Sequence, residues 1–200
     1  YAIFKTIKWI VDNFKHREDV GIVIKTNMGT NTKIDKKITQ NMLSQMKNHF
    51  EKSKVKIYLI HGTMSDKEIA ALYRHEKIKC LVSATRGEGY GLPLIEAAAS
   101  GMPVIATNWS GHLDFLSKIN FLPVDYELKE IKESRVDNRI FFPGFRWAEP
   151  KEESFKKALN VLVEDFKNLK SLAEKQKNVI INEFSKENII NSYKELIKNV

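Results

Sequence analysis

The sequence predicts an α/β protein built on a parallel sheet with helices on both faces. Short apolar segments rich in β-branched residues, at 20–26, 55–60 and 103–106, alternate along the chain with longer segments of helical periodicity. Neighbouring parallel strands need long crossover connections, and helices normally supply them. The 200 residues are enough for one domain with a full hydrophobic core.

The first half of the chain alternates helix and strand. Residues 3–14 carry apolar side chains at the 3.6-residue period with no capping residue before them, so we expect the chain to begin inside an amphipathic helix, as a piece of a larger protein would. A strand at 20–26 and a helix through 38–50 follow. The second strand, at 55–60, leads to the Ser-Asp-Lys-Glu segment at 65–68, a capping box that predicts the start of the next helix.

The second half continues this alternation as far as residue 124. A third strand is predicted at 78–83, a helix from about 92 to 100, a fourth strand at 103–106 and a fifth at 121–124. All of these strands are short and apolar, which is typical of strands buried on both faces of a parallel sheet.

Periodicity stops between residues 125 and 150, where Pro143 and Gly144 lie. We expect a long irregular connection here, and connections of this length in compact domains are usually functional or mobile. Helical periodicity returns at Glu152 and continues to the end of the chain, with breaks expected near Ser171 and Ser185.

Composition excludes several classes of protein. With 42% hydrophobic residues, including 3 Trp, 6 Tyr and 11 Phe, the chain is too apolar for a disordered or fibrous protein. Its longest apolar run is far short of the roughly 20 residues that a membrane-spanning helix needs. The single cysteine, Cys80, excludes an internal disulfide and a cysteine-based zinc site, and a reducing cytoplasm is the expected compartment.

The net charge of +8 suits an anionic partner. That partner could be a phosphate-bearing small molecule, an anionic membrane surface or a nucleic acid. The lysines are scattered along the predicted helices, which is more typical of solvated helix faces than of a nucleic-acid-binding stripe. A nucleic-acid-binding module is therefore the least favoured of the alternatives.

The most informative segment is the glycine-rich turn between the third strand and the next helix, Arg-Gly-Glu-Gly-Tyr-Gly-Leu-Pro at 86–93. In a strand–turn–helix unit, backbone N–H groups at the helix N-terminus face a bound anion, and glycines let that anion approach the main chain closely. Pro93 occupies the first-turn position that proline favours in helices. At the carboxyl end of a parallel strand, this turn predicts a phosphate-binding site.

The spacing of the glycines excludes two common phosphate-binding motifs. A dinucleotide-binding fingerprint needs a third glycine where the chain has Leu92, and a P-loop sequence does not occur. The remaining feature is a pair of carboxylates eight residues apart, Glu88 in the turn and Glu96 one turn into the predicted helix. Carboxylates accept hydrogen bonds from sugar hydroxyls and repel phosphate, so the pair predicts a ligand that carries both groups. The alternatives are that Glu96 only complements the helix dipole and that Glu88 is a solvated turn residue.

The segment EGYGLPLIE at 88–96, continued as AAASGMPVIATNWSG, closely resembles the C-terminal donor-binding domain of group 1, family 4 glycosyltransferases. These are retaining enzymes of the GT-B fold, in which two Rossmann-like domains face each other. GTMSDKEIAALY at 62–73 and RWAEPKEESF at 146–155 resemble further segments of the same domain. The resemblance implies that residues 1–200 form one Rossmann-like, nucleotide-sugar-binding domain with a helical C-terminal tail.

The resemblance also implies roles for individual residues. Glu88 would lie against the donor sugar near the reacting carbon, as the catalytic residue. The backbone amides at the start of the helix would bind the donor diphosphate: those of Gly89, Tyr90, Gly91 and Leu92. Arg86 is the best local candidate for a further phosphate contact, and Glu96 would accept hydrogen bonds from the ribose hydroxyls.

The turn after the second strand would border the base, mainly through its main chain: His61, Gly62 and Thr63. Four further residues are candidates for the edge of the same cleft: Lys25, Asn27, Trp109 and His112. Trp109 could equally pack on the surface. His112 is a candidate general base, although the reaction of this family is usually drawn as a same-face substitution assisted by the donor phosphate. No set of His, Asp and Glu has metal-ligand spacing, so neither a metal nor a cofactor is expected.

The implied function is the donor-binding half of a retaining hexosyltransferase, which transfers a sugar from a nucleotide-diphosphate sugar to a glycan, lipid or protein acceptor. Polysaccharide synthesis in the cytoplasm, or at the inner face of a membrane, is the expected setting. In the family, an N-terminal acceptor domain and a diphosphate-neutralising Arg–Lys pair precede the position at which this chain starts. We therefore expect weak nucleotide binding without turnover. A GT-B-related sugar-phosphate hydrolase, phosphorylase or epimerase is the main alternative.

Overall fold

The computed structural model describes residues 2–27, 29–50 and 52–198. The fold class is α/β, with parallel strands flanked by helices and a helical C-terminal stretch, as the sequence predicts. The chain divides into two compact units, residues 1–69 and 70–200. The assignment of all 200 residues to one nucleotide-sugar-binding domain stays a prediction.

The first unit contains two helices, two strands and the start of a third helix. These elements are α1 (Ala2–Asn13), β1 (Gly21–Thr26), α2 (Lys33–Asn48), β2 (Lys56–His61) and α3 (Asp66–Arg74), which crosses the boundary between the units. Strands β1 and β2 pair in parallel over their whole length. The buried side of α1, together with Phe14 just after its end, supplies much of the core of this unit: Ile7, Trp9, Ile10, Val11 and Phe14.

Helix α2 buries polar side chains where its sequence pattern favours apolar ones. Ile38 and Met42, which mark the helical period, are 47% and 51% exposed, whereas Asp35 and Thr39 are 4% exposed. At the next helix the local prediction is confirmed, because Ser65 donates from both its backbone N–H and its hydroxyl to the Glu68 carboxylate, at 2.7 and 2.8 Å. The capping box therefore starts α3 as expected.

The second unit is built on a three-stranded parallel sheet in the order β3-β4-β5. Its elements up to the last of these strands are β3 (Leu81–Ser83), α4 (Leu92–Ala99), β4 (Val104–Thr107), α5 (Leu113–Leu116) and β5 (Leu122–Val124). All four residues of β4, the central strand, are buried. Strand β3 is shorter than the predicted 78–83, because the Ile78 amide donates to the His75 carbonyl in a turn.

The expectation of an irregular connection over 125–150 is wrong at both of its ends. Strand β6 (Tyr126–Glu130) pairs antiparallel with β7 (Arg146–Pro150), and a short 3₁₀ helix at Glu133–Arg135 lies between them. Strand β6 is mostly exposed and carries charged residues on both of its faces, so it shows little of the apolar alternation by which strands are predicted. Its pairing depends on a partner about 20 residues away, which local sequence does not specify.

Three helices end the chain: α6 (Glu152–Glu164), α7 (Phe166–Glu183) and α8 (Lys186–Lys198). The predicted break near Ser185 is confirmed. The break expected near Ser171 is wrong, because Ser171 lies inside α7 and the chain bends at Asp165, where the Asn168 side chain donates to the Asp165 carboxylate at 2.6 Å. Helix α7 packs against α4, and its Ile180, which is 1% exposed, belongs to the core cluster of the second unit. Across the described residues, no helix has both the length and the apolar composition that crossing a membrane requires.

Candidate functional site

The glycine-rich turn in the second unit ends in a tightly defined helix start. Gly91 is the N-cap of α4 with φ of 86°, and its carbonyl accepts from the amides of Leu94 and Ile95 at 2.9 and 3.2 Å. A β-carbon at Gly91 would lie 3.1 Å from both His112 and Leu94, in a conformation that other residues rarely adopt. Glycine at this position is therefore required by backbone conformation and by packing.

Backbone donors without a partner gather at this helix start. The amides of Gly89, Tyr90, Gly91 and Leu92 donate to none of the residues that the structure describes, and Pro93 has no N–H. The partial positive charge of the helix N-terminus acts at the same place. The arrangement therefore fits an anionic group such as a phosphate.

The loop that follows β4 holds the backbone of Glu88 through hydrogen bonds with Ser110 and Gly111. The Glu88 amide donates to Ser110 Oγ at 3.0 Å, and the Ser110 hydroxyl donates back to the Glu88 carbonyl at 2.7 Å. The Gly111 amide donates to the same carbonyl at 3.2 Å, and a β-carbon at Gly111 would overlap the Gly89 carbonyl oxygen. Ser110 has φ of 93°, a strained conformation for serine that often marks functional sites.

Sequence reasoning missed Ser110 as a residue of the site. The serine follows β4 by three residues and precedes a glycine, and this Ser-Gly pair was the only local signal. Its contact with Glu88 spans 22 residues of sequence.

The two glutamates of the predicted pair lie in different surroundings. Glu88 is half-buried in the turn, whereas Glu96 is exposed on α4 and accepts from the Tyr73 hydroxyl at 3.5 Å. Burial, together with the negative charge of Glu96, raises the pKa of Tyr73 to about 12. The first turn of α4 ends at Ile95, so Glu96 lies beyond the part of the helix where a dipole effect is strongest. The position of Glu96 therefore disfavours the alternative that this carboxylate only complements the helix dipole.

Arg86 is held by the β6–β7 hairpin. Its Nε donates to the Glu149 carboxylate at 2.6 Å, and its guanidinium lies 3.8 Å from the centre of the Trp147 ring. A guanidinium has further N–H donors beyond the one at Nε, so pairing with Glu149 is compatible with a phosphate contact. The phosphate role of Arg86 stays a prediction, and the hairpin residues that orient it were not found from the sequence.

Trp109 and His112 both lie in the loop that supports the turn. The Trp109 ring packs 5.1 Å from the ring of Tyr126 and is 37% exposed, which favours the surface-packing alternative. His112 is 1% exposed, and its Nε2 donates to the Thr107 carbonyl at 2.7 Å. Its Nδ1 has no partner among the described residues. This burial disfavours a general base that must reach an acceptor hydroxyl, and favours a role in holding the loop.

The residues predicted to border the base belong to the first unit. The His61 imidazole is buried beneath its turn, 3.2 Å from the Asp35 carboxylate. That carboxylate also accepts from the Thr39 hydroxyl at 3.3 Å and from the Thr30 amide at 2.8 Å. His61 is thus part of a buried polar network, and only its main chain is available to border a ligand.

Side chains from the same unit also hold Gly62 and Thr63. Gly62 has φ of 103°, and its carbonyl accepts from Lys25 Nζ at 2.5 Å. The Thr63 amide donates to Asn31 Oδ1 at 3.3 Å. Asn27, just after β1, accepts from the Gly29 amide at 3.3 Å. Lys25 therefore braces the turn, and Asn27 shapes its own loop.

The structure thus brings the predicted residues together in two groups. In the second unit, one turn and its supporting loop contain Arg86, Glu88, the helix-start amides, Trp109 and His112, with Glu96 further along α4. In the first unit, Lys25 contacts the turn of His61, Gly62 and Thr63. Among the described residues, no group of three or more His, Cys, Asp or Glu side chains is placed to hold a metal ion.

These features define a class: an α/β protein with parallel strands and a glycine-rich turn whose backbone amides, at the start of a helix, have no partner among the described residues. The family model described as glycosyl transferases group 1 matches residues 8–120. The chain therefore belongs to the group 1 glycosyl transferases. No protein of curated function gives a significant sequence match.

Solved structures of GT-B glycosyltransferases share the fold. A glycosyltransferase from Rickettsia africae ESF-5 superimposes with a TM-score of 0.62 at 19% identity, over 100% of this chain and 44% of that one. A sucrose-phosphate synthase from Thermosynechococcus elongatus gives 0.60 at 16% identity, over 98% of this chain and 42% of that one. The chain thus spans less than half the length of either protein, and the likeness concerns the fold alone.

Proposed function

We propose that this chain is the donor-binding, C-terminal half of a retaining, family 4 glycosyltransferase that uses a nucleotide-diphosphate sugar. One observation carries the proposal: backbone amides without a described partner at the N-terminus of α4, directly after Glu88, whose backbone is fixed by Ser110. The amides supply an anion site, and the adjacent carboxylate supplies an acceptor for sugar hydroxyls. A phosphorylated sugar needs both.

In the proposed reaction, the amides of Gly89, Tyr90, Gly91 and Leu92 bind the donor diphosphate. As the bond between the sugar carbon and the diphosphate oxygen breaks, negative charge grows on the leaving group, and these fixed dipoles stabilise it. The acceptor oxygen forms its bond to the same face of the sugar carbon, and its proton passes to the leaving phosphate. Glu88 positions the sugar through its hydroxyls. These groups are rigid beforehand, because Ser110 and Gly111 hold the turn.

The proposal assigns the rest of the donor to residues outside this turn. Glu96 accepts hydrogen bonds from the ribose hydroxyls, as an exposed carboxylate that Tyr73 orients. The turn of His61, Gly62 and Thr63 borders the base through its main chain, since the His61 side chain is buried against Asp35. The acceptor and the residues that bind it belong to a second, N-terminal domain. A chain that spans less than half of its structural neighbours fits this division.

Calorimetric titration with uridine and guanosine diphosphates and their sugar conjugates tests the donor site. We expect one base to be preferred, and Glu96→Ala to weaken its binding by about 1–3 kcal/mol, the scale of a lost hydrogen bond to a charged group. Glu195→Ala, which removes an exposed carboxylate from α8, is the matched control and should leave binding unchanged. Nucleotide binding that is equally strong in wild type and Glu96→Ala would contradict the assignment.

A product assay tests the reaction class. The isolated chain should release no sugar from its donor and transfer none. Release of free sugar would favour a hydrolase, and release of sugar phosphate in the presence of inorganic phosphate would favour a phosphorylase. Transfer by the isolated chain would contradict the division between donor and acceptor halves.

A further inference from the structure

The tip of the β6–β7 hairpin exposes a cluster of large apolar side chains. Every residue from 137 to 146 is exposed, and four of them are apolar or aromatic. Ile140 is 72% exposed and Phe145 is 55% exposed, while Phe141 and Phe142 are 38% and 40% exposed. A single exposed apolar residue needs no explanation, but a contiguous group on a protruding loop marks an interaction surface.

This tip has a defined shape. The Asp137 carboxylate accepts from the amides of Arg139, Ile140 and Phe141, each at 2.9 Å. The Phe142 and Phe145 rings lie 5.5 Å apart, and Phe141 packs edge-on against Trp147 at 6.0 Å. Since the apolar side chains are already arranged by the loop, binding through them loses little conformational freedom.

Arginines flank the apolar cluster. Arg139 lies immediately before it and Arg146 immediately after it, and no carboxylate lies between them in the sequence. Neither arginine forms an ion pair within 4.0 Å among the described residues. Glu130 lies opposite Arg146 in the β6–β7 register, and the one carboxylate of the tip itself, Asp137, is held by backbone amides. Guanidinium groups bind phosphate oxygens in a bidentate manner, so the rim of the tip complements an anionic headgroup layer.

We propose that this tip, residues 137–146, inserts into the interface of an anionic lipid membrane, with Ile140, Phe142 and Phe145 among the acyl chains and the flanking arginines at the lipid phosphates. Aromatic and aliphatic side chains beside cationic ones are the composition that interfacial anchors share. The proposal does not depend on the donor site.

Sedimentation with lipid vesicles tests this proposal. The chain is mixed with vesicles of phosphatidylcholine alone and with vesicles that also contain phosphatidylglycerol. We expect binding to the anionic vesicles that weakens as salt is added. The variant Ile140→Ser/Phe142→Ser/Phe145→Ser should lose at least about tenfold in the vesicle partition coefficient. The variant Arg139→Gln/Arg146→Gln should lose the preference for anionic vesicles.

The matched control replaces apolar side chains of similar exposure on another element, helix α2. Ile34, Ile38 and Met42 on α2 are 73%, 47% and 51% exposed, and their replacement by serine should leave vesicle binding unchanged. Circular dichroism checks that each variant remains folded. The proposal is overturned if wild type fails to bind anionic vesicles, or if the α2 variant loses as much binding as the tip variant. A wild-type dimer in analytical ultracentrifugation that the tip variant dissociates would show instead that the tip binds another copy.

Discussion

The turn after β2 and the turn after β3 are built alike but leave different groups for a ligand. Each contains a glycine with positive φ, Gly62 at 103° and Gly91 at 86°. In the first turn, the bracing side chains of Lys25 and Asn31 occupy polar groups of the turn itself, the Gly62 carbonyl and the Thr63 amide. In the second turn, the supporting side chain is that of Ser110, which bonds to the backbone of Glu88 before the helix starts. The amides that follow Glu88 have no partner among the described residues.

The position of the supporting side chain therefore decides which backbone groups of a turn remain available to a ligand. In the first turn, the Gly62 carbonyl and the Thr63 amide are already occupied, which is compatible with the proposed role of bordering a base. In the second turn, the support contacts Glu88, so the backbone amides that follow it remain available at the helix N-terminus. Such a group of N–H donors suits a phosphate. The supports also differ in kind, because a buried carboxylate lies beneath the first turn and backbone packing holds the second.

The largest effect is expected from removing the charge beneath the first turn. Asp35→Ala leaves His61, Thr39 and the Thr30 amide without their shared acceptor in a buried site. Because several buried donors lose their acceptor at about 1–3 kcal/mol for each unsatisfied group, we expect a loss of about 3 kcal/mol or more in the free energy of unfolding, measured with urea. Glu76→Ala, at an exposed position, is the control. A loss below about 1 kcal/mol would show that the network contributes little.

Gly111→Ala tests the backbone packing behind the second turn. A methyl group at this position would overlap the Gly89 carbonyl oxygen, whereas one at Gly89 has no neighbour within 4 Å. We expect Gly111→Ala to lower the free energy of unfolding by about 1–3 kcal/mol or more, and Gly89→Ala to change it far less. Equal melting temperatures for the two variants would argue against close packing of the loop on the turn.

Ser110 combines two hydrogen bonds with a strained backbone, and two substitutions separate these effects. Ser110→Ala removes both bonds to Glu88 and keeps the strain, so it should lose about 1–2 kcal/mol of stability. Ser110→Gly removes the same bonds but relaxes φ of 93°, so it should be more stable than Ser110→Ala by roughly 1 kcal/mol. Chemical denaturation of both variants measures this difference, and the reverse order would contradict the role of strain.

The smallest effect concerns Tyr73, which orients Glu96. Because its pKa is about 12 in the folded chain and about 10 when unfolded, the phenol contributes stability that is fully present below about pH 10 and is lost as the pH rises towards 12. Because Tyr73 is only half-buried, solvent weakens its interaction with Glu96, so the loss should be no more than about 1 kcal/mol. Unfolding of wild type and Tyr73→Phe, compared at successive pH values, measures it. If the free energies of unfolding of the two proteins changed with pH in the same way, this would contradict the raised pKa of Tyr73.

Much of the fold could be predicted because its signals are local. Helical periodicity predicted α1, and the capping box predicted the start of α3, since both depend on residues a few positions apart. The hairpin of β6 and β7 was missed because β6 is charged and mostly exposed, and because pairing, rather than pattern, creates the hairpin. Helix α2 was predicted, but the face that it buries was not. Ile38 and Met42, which mark its apolar period, are exposed, and the polar Asp35 is buried.

By itself, the sequence determined the glycine-rich turn and the helix that follows it, since the φ of Gly91 and the fit of Pro93 in a first helical turn are properties of single residues and their neighbours. Only the tertiary structure decided what holds that turn. The bond from Glu88 to Ser110 spans 22 residues, and that from Arg86 to Glu149 spans 63. Contacts at such separations form only when β4 pairs with β3 and the hairpin brings Glu149 to Arg86, and no local pattern specifies them.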